Sequence, residues 1–118
     1  MHKFSLFSEH WSPKVVGELN DQYVKLAKVK GEFVWHHHAD EDELFLVIKG
    51  QLRMLFREPE GGRRQVVMEE GEFLIVPRGI EHKPIADEET HIMLLEPRST
   101  LNTGTKRTRL TIDALEGI

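Results

Sequence analysis

Short apolar runs separated by turn-forming residues are the feature that most limits what this chain can fold into. The turns recur about every ten residues, and no stretch has the sustained periodicity of a long helix. Such a pattern is typical of an antiparallel sandwich or barrel. It predicts an all-β fold with a solvated turn at residues 87–89 and strands over residues 23–30, 33–38, 43–49, 52–56, 64–69, 73–76, 82–85 and 90–96.

The second predicted strand ends in three histidines, and a short acidic turn leads from them to the next strand. Because alternate side chains of a strand point to the same face, His36 and His38 would lie side by side, with their Cα atoms about 7 Å apart. Glu43, just beyond the turn, can face back toward the same point. Two imidazoles and a carboxylate suit iron, manganese, nickel, cobalt or zinc better than copper(I). The segment therefore predicts half of a metal site.

Other interpretations of this segment stay open. A run of histidines can be a solvated surface feature, and a single histidine is more often structural or exposed than a ligand. The acids at 40–42 are better explained as an exposed turn. His37, Phe33 and Trp35 have the opposite parity in the predicted strand, so we expect them to point away from the metal.

A second segment, residues 71–82, supplies a fourth group for the same site. Its predicted strand ends in the turn Pro77-Arg78-Gly79. Proline fixes φ and glycine permits a positive φ, so the chain can reverse sharply and present His82 on the strand that follows.

Together the two segments resemble the paired motifs of the cupin family. The first motif, with four residues between its first glycine and histidine where five are usual, is matched by Gly31, His36, His38, Glu43 and Gly50. The second, in which Ala86 replaces the usual final asparagine, is matched by Gly71, Pro77, Gly79 and His82. The resemblance covers roughly residues 22–97. It implies a double-stranded β-helix, or jelly roll, forming one domain over 1–118, and a divalent transition metal bound by His36, His38, Glu43 and His82.

Composition narrows the possible partners and the ligand chemistry. The net charge is -4, and the one cationic cluster of the sequence, at 106–109, is short. We therefore expect no nucleic-acid binding. The first ten residues lack the apolar core of a signal peptide and no run reaches transmembrane length, which predicts a cytoplasmic protein without a membrane partner. The chain has no cysteine, so nitrogen and oxygen atoms must hold any metal.

The function is not decided by the motifs, because one fold hosts many activities. One hypothesis is a metal-dependent enzyme acting on a small metabolite, of the dioxygenase, isomerase or lyase type. The alternative is a non-catalytic module that binds a small sugar or carboxylate and uses the metal as an anchor. We expect an apolar pocket that includes Phe45, Val47, Met54 and Phe73, with three unranked polar candidates for orienting a ligand, Arg53, Arg78 and His91.

The two ends of the chain carry further expectations. Phe4, Leu6, Phe7 and Trp11 are too apolar to leave in water, so the N-terminal segment should pack on a sheet or on a second subunit. With the outward Phe33 and Trp35, these residues predict a homodimer. The C-terminal tail is loop-like over 99–104 and alternates over 105–111, with one helical turn at 112–115. It is expected to cross the barrel mouth or exchange between subunits.

Overall fold

The structure, a computed structural model, describes residues 2–104, 108, 110–112 and 115–118. The alternating tail segment and the C-terminal helical turn expected from the sequence lie partly outside these residues. The elements are a short 3-10 helix, Lys3–Leu6, and seven strands: β1 Lys14–Leu19, β2 Gln22–Glu32, β3 Glu43–Lys49, β4 Leu52–Arg57, β5 Arg63–Met68, β6 Phe73–Val76 and β7 Glu81–Pro97.

All named strand pairs are antiparallel, and β7 joins the two halves of the barrel. Its C-terminal half pairs with β2 on one side and β3 on the other, in the order β1-β2-β7-β3-β6. Its N-terminal half pairs with β4, which in turn pairs with β5. The predicted all-β jelly-roll fold is therefore confirmed.

The expected turn at 87–89 is wrong, because these three acids lie within β7. Between the pairs Val29–Thr90 and Gly31–Ala86, the three acids stand opposite Lys30 alone. Such an excess of residues on one strand is a β-bulge, which bends a strand without ending it. The acids are exposed, as expected, so a cluster of charges typical of a turn marks a bulge here.

Two further strand predictions differ from the structure. Residues 33–38 form no regular strand, and only His36 makes an isolated bridge, to His82. Strand β1 was not predicted, because glycine and charged residues interrupt its apolar residues. The predictions near 43–49, 52–56, 64–69 and 73–76 are confirmed to within one residue at each end.

The barrel core follows the period-two alternation of the strands. In β3 the buried positions are Glu43, Phe45 and Val47, with half-buried side chains between them. The main apolar cluster consists of Ala27, Val29, Phe45, Val47, Leu52, Met54, Phe56, Met68, Val76, Ala86, Ile92 and Leu94. Phe73, expected in the pocket, is 63 % exposed because it lies on the outward parity of the edge strand β6.

The N-terminal segment packs on the sheet of its own chain. Phe4 and Phe7 are buried with Leu26, and the 3-10 helix covers the outer face of β2 at this point. Phe33 is also buried. The apolar residues from which the homodimer was predicted are therefore largely covered within one chain, although Leu6 is 51 % exposed. No helix in the described part of the chain is long and apolar enough to cross a membrane.

Gly50 provides a test of the packing between strands. Its φ is +98°, and an added Cβ would stand 2.7 Å from Thr90 Oγ1 and 3.2 Å from Thr90 Cα. We expect Gly50→Ala to lower the free energy of unfolding by about 2 to 4 kcal/mol, since left-handed strain and overpacking add. Urea denaturation measures the loss.

Gly31→Ala is the matched control, because its φ is +80° but an added Cβ would meet nothing within 4 Å. This substitution should lower the free energy of unfolding by about 1 to 2 kcal/mol, which is the cost of the backbone strain alone. Equal losses in the two variants would contradict the proposed contact with Thr90.

Candidate metal centre

Backbone hydrogen bonds bring the two predicted halves of the site together. The His36 N–H donates to the carbonyl of His82 over 3.0 Å, and the His82 N–H donates to that of His36 over 2.8 Å. Two residues further on, the carbonyl of His38 accepts the N–H of Gly79. These bonds fix the histidine segment to the start of β7, although residues 33–38 form no regular strand.

All four predicted ligand residues converge at one point inside the barrel. One ligand atom from each of His36, His38, Glu43 and His82 lies within 4.8 Å of the other three. Glu43 Oε1 is 2.8 Å from His38 Nε2 and 3.2 Å from His82 Nε2. Every one of these residues is at most 4 % exposed.

Two of the imidazoles are oriented by backbone carbonyls. His36 Nδ1 lies 2.8 Å from the carbonyl oxygen of Val34, and His82 Nδ1 lies 3.0 Å from that of Ile80. In both pairs the ring must donate, because a carbonyl oxygen only accepts. The proton on Nδ1 leaves the lone pair of Nε2 free to face the centre, which is the usual arrangement for a metal-binding histidine.

Several atoms of the cluster are buried without a hydrogen-bond partner. They are His38 Nδ1, His38 Nε2, His82 Nε2 and Glu43 Oε1. The short distances from Glu43 Oε1 to the two Nε2 atoms lack the alignment of hydrogen bonds. Buried polar atoms normally have a hydrogen-bond partner, so four such atoms without one fit a site that binds an ion. Three nitrogens and one carboxylate oxygen could hold a divalent transition metal.

Burial shapes the charges of the cluster. Burial is the main cause that lowers the pKa of His36 to about 3, and the nearby His82 lowers it further by charge repulsion. Burial raises the pKa of Glu43, but the neighbouring carboxyl group of Glu96 and the imidazoles of His38 and His82 outweigh it and hold that pKa well below its ordinary value. His36 is therefore neutral and Glu43 ionised at neutral pH, and these are the forms that bind a metal.

The sequence analysis missed two charged residues beside the cluster. Lys25 is 1 % exposed and Glu96 is 2 % exposed, with Lys25 Nζ 2.6 Å from Glu96 Oε1. Burial, and then the charge of Glu43, raise the pKa of Glu96 well above its ordinary value. A signal was present, because Lys25 has the inward parity of β2 and Glu96 has that of β7, where each neighbours core residues.

A small cavity of about 40 Å³ adjoins the cluster. Its lining is mainly apolar and consists of Trp11, Pro13, Ala27, Val29, Phe33, His36, Glu43, Phe45, Pro84, Ile92, Leu94, Glu96 and Asn102. The expectation that Phe33 points away from the site is wrong, since its ring lies edge-on to His36 with 5.3 Å between centroids. Strand alternation does not apply to a segment without strand pairing. Trp35 does lie outside, under the guanidinium of Arg57.

None of the three polar candidates for orienting a ligand lines this cavity. Arg53 pairs with Asp87, and Arg78 pairs with Asp42, both on the surface. His91 stacks on Phe4 with 4.4 Å between ring centroids, on the outer face of the sheet. Asn102, in the C-terminal tail, reaches the cavity instead.

Comparison with known proteins agrees with this geometry. The model of the cupin domain family matches residues 22–98. The uncharacterized protein YdbB of Bacillus subtilis is 40% identical over 68 residues, which are 58% of this chain and 57% of YdbB. The chain thus spans a little over half the length of this curated relative.

Solved structures share the fold. A cupin-2 domain protein of Shewanella frigidimarina superposes with a TM-score of 0.76 at 52% identity, over 82% of this chain and 90% of that one. Hydroquinone 1,2-dioxygenase of Sphingomonas sp. TTNP3, solved with 4-hydroxybenzoate bound, superposes with a TM-score of 0.71 at 16% identity, over 83% and 72% of the two chains. At that identity the second likeness shows the fold alone.

The neutral state of His36 predicts how the metal-free protein responds to acid. Its folded pKa of about 3 lies below the ordinary value of 6.5, so the unfolded chain takes up the proton first. The free energy of unfolding should therefore fall between pH 6.5 and 3, by at most about 1.4 kcal/mol per pH unit from this group. Urea denaturation with chelator present, across that pH range, measures it.

His36→Leu should flatten this dependence, whereas His37→Gln, a change in the same segment outside the cluster, should leave it as in the wild type. An unchanged slope in His36→Leu would show that the acid sensitivity comes from other groups.

Proposed function

The chain belongs to the cupin domain family, and we propose that it is a metal-dependent enzyme acting on a small metabolite, of the dioxygenase, isomerase or lyase type. The observation that carries this proposal is the convergence of four buried ligand atoms, three of which have no hydrogen-bond partner. Four protein ligands around an ion that accepts six leave two positions for substrate or oxygen. A closed structural site would leave none.

The proposed roles of the residues follow from their positions. His36, His38, Glu43 and His82 hold the ion, which is iron, manganese, nickel, cobalt or zinc and supplies Lewis-acid or redox chemistry when bound. Val34 and Ile80 orient two of the rings through their carbonyls. The apolar cavity wall keeps water from a bound ligand, so polar contacts at the ion are stronger there than in solvent.

The second candidate is a module that binds a small sugar or carboxylate without converting it. It is favoured by the scarcity of further polar groups on the described cavity wall, where Trp11, Glu96 and Asn102 are the ones outside the ligand set. The metal retained through chelator-free purification separates the two. Iron(II) with oxygen uptake supports a dioxygenase, the activity of the Sphingomonas protein of the same fold. Zinc, nickel or manganese without turnover of any metabolite supports the binding module.

The ligand set predicts the effect of single substitutions. Alanine at position 36, 38, 43 or 82 should lower metal affinity by more than the roughly 10- to 100-fold typical of losing an outer partner, because each removes a coordinate bond. Elemental analysis after dialysis against a competing chelator measures it. His37→Ala is the matched control and should retain metal, while full occupancy in His82→Ala would rule out the four-ligand site.

We also propose a homodimer, formed through the outer face of the sheet β2-β7-β3-β6. Two rows of apolar side chains cross this face: Val24, Leu95, Leu44 and Ile75 in one, and Leu26, Met93, Leu46 and Phe73 in the other. Phe4 of the 3-10 helix and Phe7 after it cover Leu26, at the β2 end of the second row, and Met93 packs against the same cluster. At the other end Phe73 is 63 % and Ile75 52 % exposed.

A second copy of this chain is the partner that fits this face. The rows carry no charge to select a different protein, and an apolar sheet face is complementary to itself about a two-fold axis. Contiguous exposed apolar side chains of this kind mark association surfaces on small proteins.

Light scattering should therefore give twice the mass of the single chain. The double variant Phe73→Ser/Ile75→Ser should be monomeric and equally stable, because both side chains are exposed within one chain. Val67→Ser, at a 43 % exposed position on β5, is the matched control and should remain dimeric. A monomeric wild type at micromolar concentration would refute the dimer.

A further inference from the structure

Trp11 has a backbone conformation that is rare for its side chain. Its φ is +59°, in the left-handed region, and among the described residues other than glycine only Asn20 shares a positive φ. Asparagine tolerates this region, whereas a bulky side chain is unfavourable there because its Cβ approaches the following carbonyl oxygen. Residues in such conformations persist where the surrounding structure holds them, and they cluster at functional sites.

Two hydrogen bonds to β2 hold Trp11 in this conformation. Its backbone N–H donates to the carbonyl of Lys28 over 2.9 Å, and its indole Nε1–H donates to the carbonyl of Lys30 over 2.8 Å. Both donors of the residue are thereby satisfied. The indole therefore has a fixed position relative to the barrel.

The indole forms part of the wall of the cavity beside the metal centre. It stacks on Phe33 with 4.8 Å between ring centroids and 22° between the ring planes, and Phe33 lies edge-on to His36. Three aromatic rings thus lead from the segment before β1 to a proposed metal ligand. An aromatic ring of a ligand would find the same stacking partner, Phe33, if the indole were absent.

Trp11 reaches the cavity from outside the named strands. Trp11 and Pro13 precede β1 and Asn102 follows β7, whereas most of the apolar wall belongs to β2, β3 and β7. Of these three side chains that of Trp11 is the largest, and it packs against the main apolar cluster. The indole therefore decides how much space remains beside the centre, while the strand pairing of the barrel does not depend on it.

We propose that Trp11 determines the size of the ligand: the metal centre takes a small aliphatic molecule of about three or four non-hydrogen atoms, and the indole excludes an aromatic ring. This inference rests on the proposed metal-dependent function, since the ligand is taken to bind at the ion. A cavity of about 40 Å³ has room for about three water-sized groups. Benzene, by comparison, binds in an apolar cavity of about 150 Å³.

Removal of the indole should turn the cavity into one that accepts a ring. An indole is larger than a benzene ring, so Trp11→Gly adds space for one next to Phe33. Glycine adopts a positive φ without strain, so the backbone at this position can keep its course.

The test compares two carboxylic acids with the cobalt(II)-loaded protein. Acetate and benzoate bind an ion through the same group and differ in size, and the visible absorption of cobalt reports binding at the ion itself. The wild type should bind acetate at least about tenfold more tightly than benzoate, because the ring has no space. Trp11→Gly should bind benzoate at least about tenfold more tightly than the wild type does, because it buries the ring, with the affinity for acetate unchanged.

Two further variants separate ligand size from backbone effects. Trp11→Asn also removes the indole, and asparagine tolerates the left-handed region, so this variant should gain affinity for benzoate even if glycine loosens the segment. Asn20→Gly is the matched control, because it replaces the other side chain with a positive φ at a position away from the cavity wall. It should keep the preference of the wild type for acetate.

The contrary outcomes separate this inference from the proposed function. A wild type that binds both acids equally at the ion overturns this inference alone. So does a preference for acetate that persists in both Trp11 variants, since the barrel strands would then set the limit. Loss of cobalt from both variants overturns it too, because the indole would then support the ligand residues. A wild type that binds neither cobalt nor another transition metal, or whose cobalt responds to neither acid, overturns the proposed function as well.

Discussion

Burial of four ligand groups in an apolar barrel is the constraint on which the rest of the site depends. Each polar atom without a partner costs about 1 to 3 kcal/mol in such surroundings, and three of the ligand atoms are in that state. The paired backbone hydrogen bonds between His36 and His82 help to offset this cost. Because a bound ion would satisfy all of these atoms at once, metal affinity and stability are expected to be linked.

The convergence of the four candidate ligands could be predicted from sequence because its signals are local. His36 and His38 are two residues apart, Glu43 follows across one turn, and the Pro-x-Gly turn fixes where His82 emerges. His36 and His38 do lie on the same side, as predicted, although residues 33–38 form no regular strand. The bridge between His36 and His82 orients this segment where a continuous strand pairing would otherwise do so. The orientation of Phe33 was predicted incorrectly because the prediction assumed a regular strand over these residues.

Features that depend on strand register could not be predicted in this way. Lys25 and Glu96 are 71 residues apart in sequence, and only the pairing of β2 with β7 brings them together. The bulge at 87–89 likewise exists only because β2 pairs on both sides of it. The N-terminal aromatic residues showed that a surface would be covered, but composition does not distinguish the chain's own sheet from that of a partner. The contacts of Phe4 and Phe7 with Leu26 show that they pack on the chain's own sheet.

Strand alternation also connects the inside of the barrel with its outside. Glu43 and Glu96 face the cavity, and their sequence neighbours Leu44 and Leu95 are half-buried members of the apolar rows on the outer face of the same strands. A contact on the outer face would restrain the backbone that carries both carboxylates, because adjacent residues of one strand share that backbone. Edge strand β6 pairs only with β3 among the described strands, so β3 has the most to gain from such support. Assembly through this face would thus stabilise the strand that carries Glu43, at no cost to access, since the cavity lies on the opposite side of the sheet.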